Sequence, residues 1–356
     1  MKVVQVIPVL SSGDACGNNC IAIHELLVEA GFESYVVAGR TIREPHVEAK
    51  DLSFLDCLGE EDVVILHFMM GSSVNLKFAS LPTRKGMIYH NITPPGWFDQ
   101  YNGEVASECR LGVDQAVYLR DKVDFVVAVS KYNRLDLQFK GYLCPIDVVP
   151  LLLALDDYVR EPCAKVLRHH DHFLGSNLVF VGRVVPNKCF EDVIAAFAVY
   201  KNHYDSHARL FLVGAFDSGD PYVARLLRYI GELKLTDVRF TGHVSFDEIL
   251  AYYRIADVFL CQSEHEGFCV PLVEAMALDV PVVAYAAAAI PETLSGCGVL
   301  LKEKDPLVTA GVIDRLLQDE SMRARVLAGQ RERLSELQHD VVARQLLGVL
   351  RRRLEG

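Results

Sequence analysis

No stretch of this chain approaches the roughly 18 to 20 uninterrupted apolar residues that a membrane-spanning helix requires, although 51% of its 356 residues are hydrophobic. The first apolar run, MKVVQVIPVL, breaks at Ser11 and carries a single Lys. That is short of a signal-peptide core, so it reads as a first strand. Basic residues are also in the minority, 36 Lys and Arg against 47 Asp and Glu for a formal charge of −11. A nucleic-acid backbone normally demands a basic face, so no nucleic-acid partner is expected. The ten Cys include no C-x2-C pair, which suits buried thiols in a reducing cytoplasm and excludes a disulfide framework. No G-x-G-x-x-G follows the first strand of either half, which disfavours a dinucleotide-dependent dehydrogenase. A D-x-D type carboxylate pair beside a phosphate site is missing too. The chain is expected to be cytoplasmic, with peripheral contact at the inner face of the cell membrane as its closest approach to lipid.

What is present is a long alternation of β-branched runs and amphipathic windows, the pattern of parallel sheets with crossover helices. KVVQVIPVL, SYVVAG, DVVILHF, GMIYHN, DFVVAVS and PIDVVPL supply the strands of a first α/β domain, residues 1–160. NLVFVG, ARLFLVG, VRFTGH, DVFLCQS, PVVAY and GVLL supply those of a second, 174–335. The stretch LDDYVREPCAKVLRHHDHFLGSN, of mixed charge and little periodicity, reads as the linker between them. Residues 336–356 read as a terminal helix that packs back on the first domain. A chain this long exceeds one core, so two domains are the natural expectation. Doubly wound sheets bind ligands outside the carboxyl ends of their strands. That arrangement fits cleft enzymes and binding proteins alike, and the site must decide.

In the second domain, VFVGRVVPNKCFEDVIAAF runs from a strand through Gly182 and Arg183 to Lys188 and a helix start. Two cations beside a helix N-terminus suit an anion such as a diphosphate; they are equally readable as loop surface charges. Further on, CQSEHEGFCVPLVEAMALDVPVV places Glu266 on a loop and Glu274 in the first or second turn of a helix that Pro271 can open. The plain reading makes Glu274 a dipole-stabilised helix acid and Glu266 an exposed loop residue. Against it stands their position with Gly267 and the amides around Phe268 at one strand end, where carboxylates can accept bonds from sugar hydroxyls.

These residues, with VRFTGHVSFDEILAYYRIADVFL before them, resemble the donor-binding domain of the retaining glycosyltransferases of family 4, which have the GT-B fold of two Rossmann-like domains facing a central cleft. The resemblance covers most of residues 177 to 300 and rests on the E-x7-E element with the upstream G-R-x4-K. It implies that Glu266 binds the donor sugar, Glu274 the ribose, and Arg183 and Lys188 the diphosphate. Gly182, Gly267, Phe268 and Cys269 would line that site, and the backbone at His243 and Val244 would face the base. The chain departs from the family where Cys189, Cys269 and Asp279 stand in place of Gly; the Cys side chains are expected to narrow the room beside the donor.

The first domain offers SSGDACGNNCIAIHELL, resembling the family's loop near the leaving diphosphate, with Gly13 and Gly17 permitting close backbone approach. A plain tight turn before a helix capped by Asn18 or Asn19 reads almost as well. GMIYHNITPPGWFDQY ends a strand at His90, which by the resemblance lies by the anomeric carbon. HNITPP resembles bacterial members associated with surface-polysaccharide assembly. His67 reads as a satisfied core or rim residue. His169, His170 and His172 lie on the linker, where no element fixes a metal geometry. Trp97, Phe98 and Tyr101 read either as an acceptor platform or as lid packing. The resemblance thus implies a retaining, metal-independent hexosyltransferase. It would use a nucleoside-diphosphate sugar such as GDP-mannose or a UDP-hexose as donor, a saccharide or lipid-linked saccharide as acceptor, and no tightly bound cofactor. Alternatives are a GT-B sugar-nucleotide-binding protein without transfer activity and a GT-B sugar-nucleotide epimerase.

Overall fold

A computed structural model describes residues 1–42, 46–170 and 173–354. The chain forms two compact units, one of Met1–Asp99, Gly103–Ala154 and Glu336–Gly356, the other of Leu155–Ser335 with Gln100–Asn102. In the first unit the strands are β1 (Lys2–Ser11), β2 (Glu33–Ile42), β3 (Ala49–Lys50), β4 (Val63–Phe68), β5 (Arg84–Tyr89), β6 (Phe125–Ala128) and β7 (Ile146–Val148). They form one sheet in the order 3-2-1-4-5-6-7, every pair parallel. Its helices are α1 (Ala15–Glu29), α2 (Ser73–Ser80), α3 (Gly103–Leu119) and α4 (Lys131–Phe139). In the second unit β8 (Asn177–Val181), β9 (Arg209–Val213), β10 (Val238–Gly242), β11 (Val258–Cys261), β12 (Val282–Tyr285) and β13 (Val299–Leu301) take the order 10-9-8-11-12-13, again parallel throughout. Between and after them run α5 (Ala164–His170), α6 (Phe190–His203), α7 (Pro221–Glu232), α8 (Phe246–Arg254), α9 (Val270–Ala277), α10 (Ile290–Leu294), α11 (Pro306–Gln318) and α12 (Glu320–Glu336). The last helix, α13 (His339–Leu354), belongs to the first unit.

The central strands are apolar without alternation because helices cover both faces: every residue of β4, β8 and β9 is buried. The twelve strand segments legible in the sequence all appear, and the two-residue β3 is added. The stretch read as a linker is not irregular throughout. It carries a 3-10 turn at Leu155–Val159 and the helix α5, whose preceding Cys163 N–H bonds the Asp247 carbonyl, and from Leu155 onward it belongs to the second unit. Its mixed charge and short length hid a single-sided helix. No helix among the described residues is long and apolar enough to cross a membrane.

Candidate active site

β8 and β11 are neighbours, with Val258 opposite Leu178, so the loops leaving their carboxyl ends lie side by side. After β8, Gly182 takes φ +155, and a Cβ there would sit 3.3 Å from the Lys188 side chain. Gly214, at the end of β9, is tighter still: its Cβ would meet the Gly182 carbonyl oxygen at 2.1 Å. A 3-10 turn, Pro186–Lys188, then delivers Lys188. Its ammonium pairs with the Glu266 carboxylate at 2.6 Å, the side chains only 15% and 10% exposed. Burial pushes the Lys188 pKa down, but Glu266, with Cys269 and Cys261 beside it, more than offsets burial and holds it above the usual lysine value. The cation that the sequence places with Arg183 is therefore matched by the acid of the other loop. Arg183 is exposed and has no ion pair or hydrogen bond among the described residues.

Backbone and side-chain bonds stitch these two loops together. The Glu264 N–H donates to the Asn187 carbonyl at 3.0 Å, and the buried Asn187 amide donates to the His265 carbonyl at 3.0 Å. Lys304 reaches in from beyond β13 to Asp192 at 2.8 Å and Glu264 at 2.7 Å. Cys189, Asp192 and Glu264 lie close enough to hold a cation, and the Lys304 ammonium sits on both carboxylates. Burial, opposed by Lys304, raises the Cys189 thiol to about 12.

Helix α9 opens with Pro271 as its second residue, which places Glu274 in the second turn. Its two oxygens accept hydrogen bonds from Tyr158 and Tyr253, each at 2.8 Å. Burial raises the carboxyl above its ordinary range, opposed by both tyrosines. Each oxygen keeps a lone pair, because a carboxylate offers about four acceptor directions. Gly267 is half-buried, Phe268 is buried, and the Phe268 carbonyl accepts from Thr293. His243 and Val244 follow β10, exposed and half-buried respectively.

The three positions where a glycine was expected share one backbone state. Cys189, Cys269 and Asp279 have φ of 50°, 72° and 55°, the left-handed region that L-residues enter at a cost. Cys189 and Cys269 are the residues on which α6 and α9 start. Both thiols are buried. The neighbouring Cys261 thiol, together with burial, raises the Cys269 pKa well above the ordinary thiol value.

In the first unit, Gly13 is left-handed (φ +81) with open space where a Cβ would be. Gly17 lies inside α1, and its Cβ would meet the Ser11 carbonyl at 2.2 Å. Gly17 therefore lets the helix start close against the end of β1. The expected cap is corrected: Asp14, not Asn18 or Asn19, caps α1 by accepting from the Gly17 N–H at 3.2 Å, and Asn18 accepts from the Gly13 N–H at 3.0 Å. His90 follows β5, its N–H bonded to the Phe68 carbonyl at 3.0 Å. The ring nitrogen Nε2 contacts Nδ1 of His67 at 3.0 Å, and His67 Nε2 contacts the Gln5 amide oxygen at 2.8 Å. His67 is a core residue, fully buried.

Several partners of these residues, in one unit or the other, gave no signal in the sequence. Asn187, Lys304, Tyr158 and Tyr253 are common residue types in unremarkable windows, and Gly214 and Gln5 sit inside plain strand patterns. Of the aromatic group, Phe98 is buried, while Tyr101 packs on Tyr222 and accepts a bond from Arg225 at 2.8 Å. His169 and His170 end α5, so a helix does fix them, contrary to the sequence reading; His172 lies outside the described residues. His170 packs on Phe211, and burial first, then Arg209, lowers it to about 4.

Residues 175–333 match the family described as Glycosyl transferases group 1. Among curated proteins, the chain is 28% identical over 65% of its length to the GDP-mannose-dependent alpha-(1-6)-phosphatidylinositol monomannoside mannosyltransferase of Mycobacterium tuberculosis. It is 32% identical over 49% of its length to the D-inositol 3-phosphate glycosyltransferase of Salinispora arenicola. It spans 62% and 41% of those relatives' own lengths. Among solved structures, Anabaena HepE in complex with UDP and glucose superposes with a TM-score of 0.77 at 17% identity, covering 98% of this chain and 99% of that one. Sucrose-phosphate synthase from Thermosynechococcus elongatus gives 0.74 at 19% identity, with 99% of each covered. The two parallel-sheet units thus have the GT-B fold, and residues 175–333 are similar in sequence to the group 1 glycosyl transferases.

Proposed function

We propose that the protein is a retaining glycosyltransferase that moves a hexosyl group from a nucleoside-diphosphate sugar to a saccharide or lipid-linked saccharide, without a metal. The observation that carries this reading is the Lys188–Glu266 pair at the ends of β8 and β11, with Glu274 one helix turn into α9. Each group has a distinct task. Lys188 and the exposed guanidinium of Arg183 neutralise the diphosphate as the glycosidic bond breaks, stabilising charge where it develops. Glu266 accepts from hydroxyls of the transferred sugar, and Glu274 from the ribose diol. Lys188 holds Glu266 in place while leaving it one oxygen free, so the carboxylate is oriented before the donor arrives. His90 belongs to the reacting sugar's side by resemblance. With no carboxylate assigned as a nucleophile, the departing phosphate oxygen takes the acceptor's proton on the front face.

The mannosyltransferase relative is named for GDP-mannose and the HepE structures hold UDP-glucose, which sets the panel to test. Thermal shifts with GDP, UDP, ADP and TDP sugars identify the donor, since a ligand bound only by the native state raises its melting temperature. With that donor, Glu266→Gln should lower turnover by about 100-fold or more while the affinity for the bare nucleoside diphosphate changes little. Unchanged turnover in this variant would remove Glu266 from the site.

A further inference from the structure

The structure assigns Gln5 and His67 a task beyond packing: we infer that they lock His90 in the tautomer protonated on Nε2, leaving Nδ1 as a hydrogen-bond acceptor. The three side chains come from adjacent parallel strands. Gln5 stands opposite Ile65, and His67 opposite Ile88. Side chains alternate with period two, so Gln5, His67 and His90 project from the same face of the sheet. An amide oxygen can only accept, so the 2.8 Å contact places a proton on His67 Nε2. A neutral imidazole has one N–H, so His67 Nδ1 is a lone pair. The 3.0 Å contact to His90 then needs a proton on His90 Nε2, and His90 Nδ1 is left unprotonated.

Both rings are neutral at ordinary pH. Burial holds His67 well below its usual value, with the neighbouring His90 adding to the effect, and burial lowers His90 to about 4. His90 Nδ1 makes no hydrogen bond within the described residues and is not among the buried atoms lacking one, so it reaches solvent. On the functional reading above, on which this part rests, the atom His90 presents to the sugar is an acceptor for a hydroxyl hydrogen. Gln5 and His67 are positioning residues that act through it. The buried Gln5 Nε2 has no hydrogen-bond partner among the described residues; with the amide turned over, every bond in the chain would reverse and His90 would present an N–H instead.

Long-range proton–nitrogen correlation spectra of the full chain labelled with 15N-histidine read the tautomer directly, with His90→Gln assigning its signals. Protonation on Nε2 is expected in the wild type, and protonation on Nδ1 overturns the inference. His67→Gln can accept from His90 and donate to Gln5, so it should retain the tautomer and most of kcat. His67→Phe cannot; it should mix the tautomers and lower kcat about tenfold with the donor KM unchanged, the worth of one lost hydrogen bond. Should His67→Phe fail to fold, Gln5→Met removes the terminal acceptor at similar volume and should move both readouts the same way. Folded His67→Phe or Gln5→Met protein with wild-type tautomer and kcat would also overturn the inference. An Nε2-protonated His90 in a protein that transfers no sugar would support the chain and sink the functional reading instead.

Discussion

Lys188 and Arg183 look alike in the sequence and differ in the structure, and that difference is measurable. Lys188 is held in a nearly closed pair with Glu266, so Lys188→Ala strands a buried carboxylate and should destabilise the fold by about 3 kcal/mol. Arg183 is exposed, so Arg183→Ala should leave stability within about 0.5 kcal/mol. Both should weaken nucleoside-diphosphate binding by about 1.5 to 3 kcal/mol. Calorimetric titration beside thermal unfolding separates the two effects, and undiminished diphosphate binding in the Lys188 variant would reduce that residue to a structural one. His90 gives the pH dependence. Its folded pKa of about 4 lies below the value near 6.5 of an unfolded histidine. The unfolded chain therefore takes the proton first. The contribution is complete above about pH 6.5 and is lost as pH falls toward 4, by up to about 1.4 kcal/mol per pH unit for each such histidine. Denaturant melts of His90→Gln across that window should show a shallower fall than wild type. His67 and His170, also lowered, should keep some slope in the variant, and identical slopes would mean that His90 does not titrate with folding.

Among the elements, the helix starts carry the instructive departures. Glycine was expected at Cys189 and Cys269, and the reason is the left-handed backbone from which α6 and α9 begin. At each position Ala keeps the strain and loses the thiol's packing, while Gly loses the packing and removes the strain. Each Cys→Gly variant should therefore be more stable than the matching Cys→Ala by about 1 kcal/mol; urea midpoints in the reverse order would show that the turn is not the constraint. Strands were readable because burial on both faces makes them continuous apolar runs. Helix α5 was not, since its seven residues, set in a stretch of mixed charge, display less than two turns of period. The cap of α1 was misread because Asp14, Asn18 and Asn19 all suit a cap, and only the backbone decides which one stands at the first turn.

At the scale of the whole molecule, the proposed reaction is most exposed in its metal requirement and its stereochemistry. If Arg183, Lys188 and helix N-termini supply the neutralising charge, activity should survive EDTA and the product should keep the donor's anomeric configuration. Loss on chelation with recovery on Mg²⁺ or Mn²⁺ would assign that charge to a bound ion. An inverted anomer, read from the anomeric proton's coupling constant, would exclude front-face transfer. The sequence by itself determined two parallel α/β units and the acids and cations at their strand ends, because alternation, loop composition and helix-start chemistry are local and survive in a linear reading. Only the tertiary structure decided which charges meet. Lys188 and Glu266 are 78 residues apart, and Gln5 and His67 are 62 apart. Their contacts follow from β8 lying beside β11 and β1 beside β4. That adjacency is set by packing whole sheets, and no window of sequence contains it.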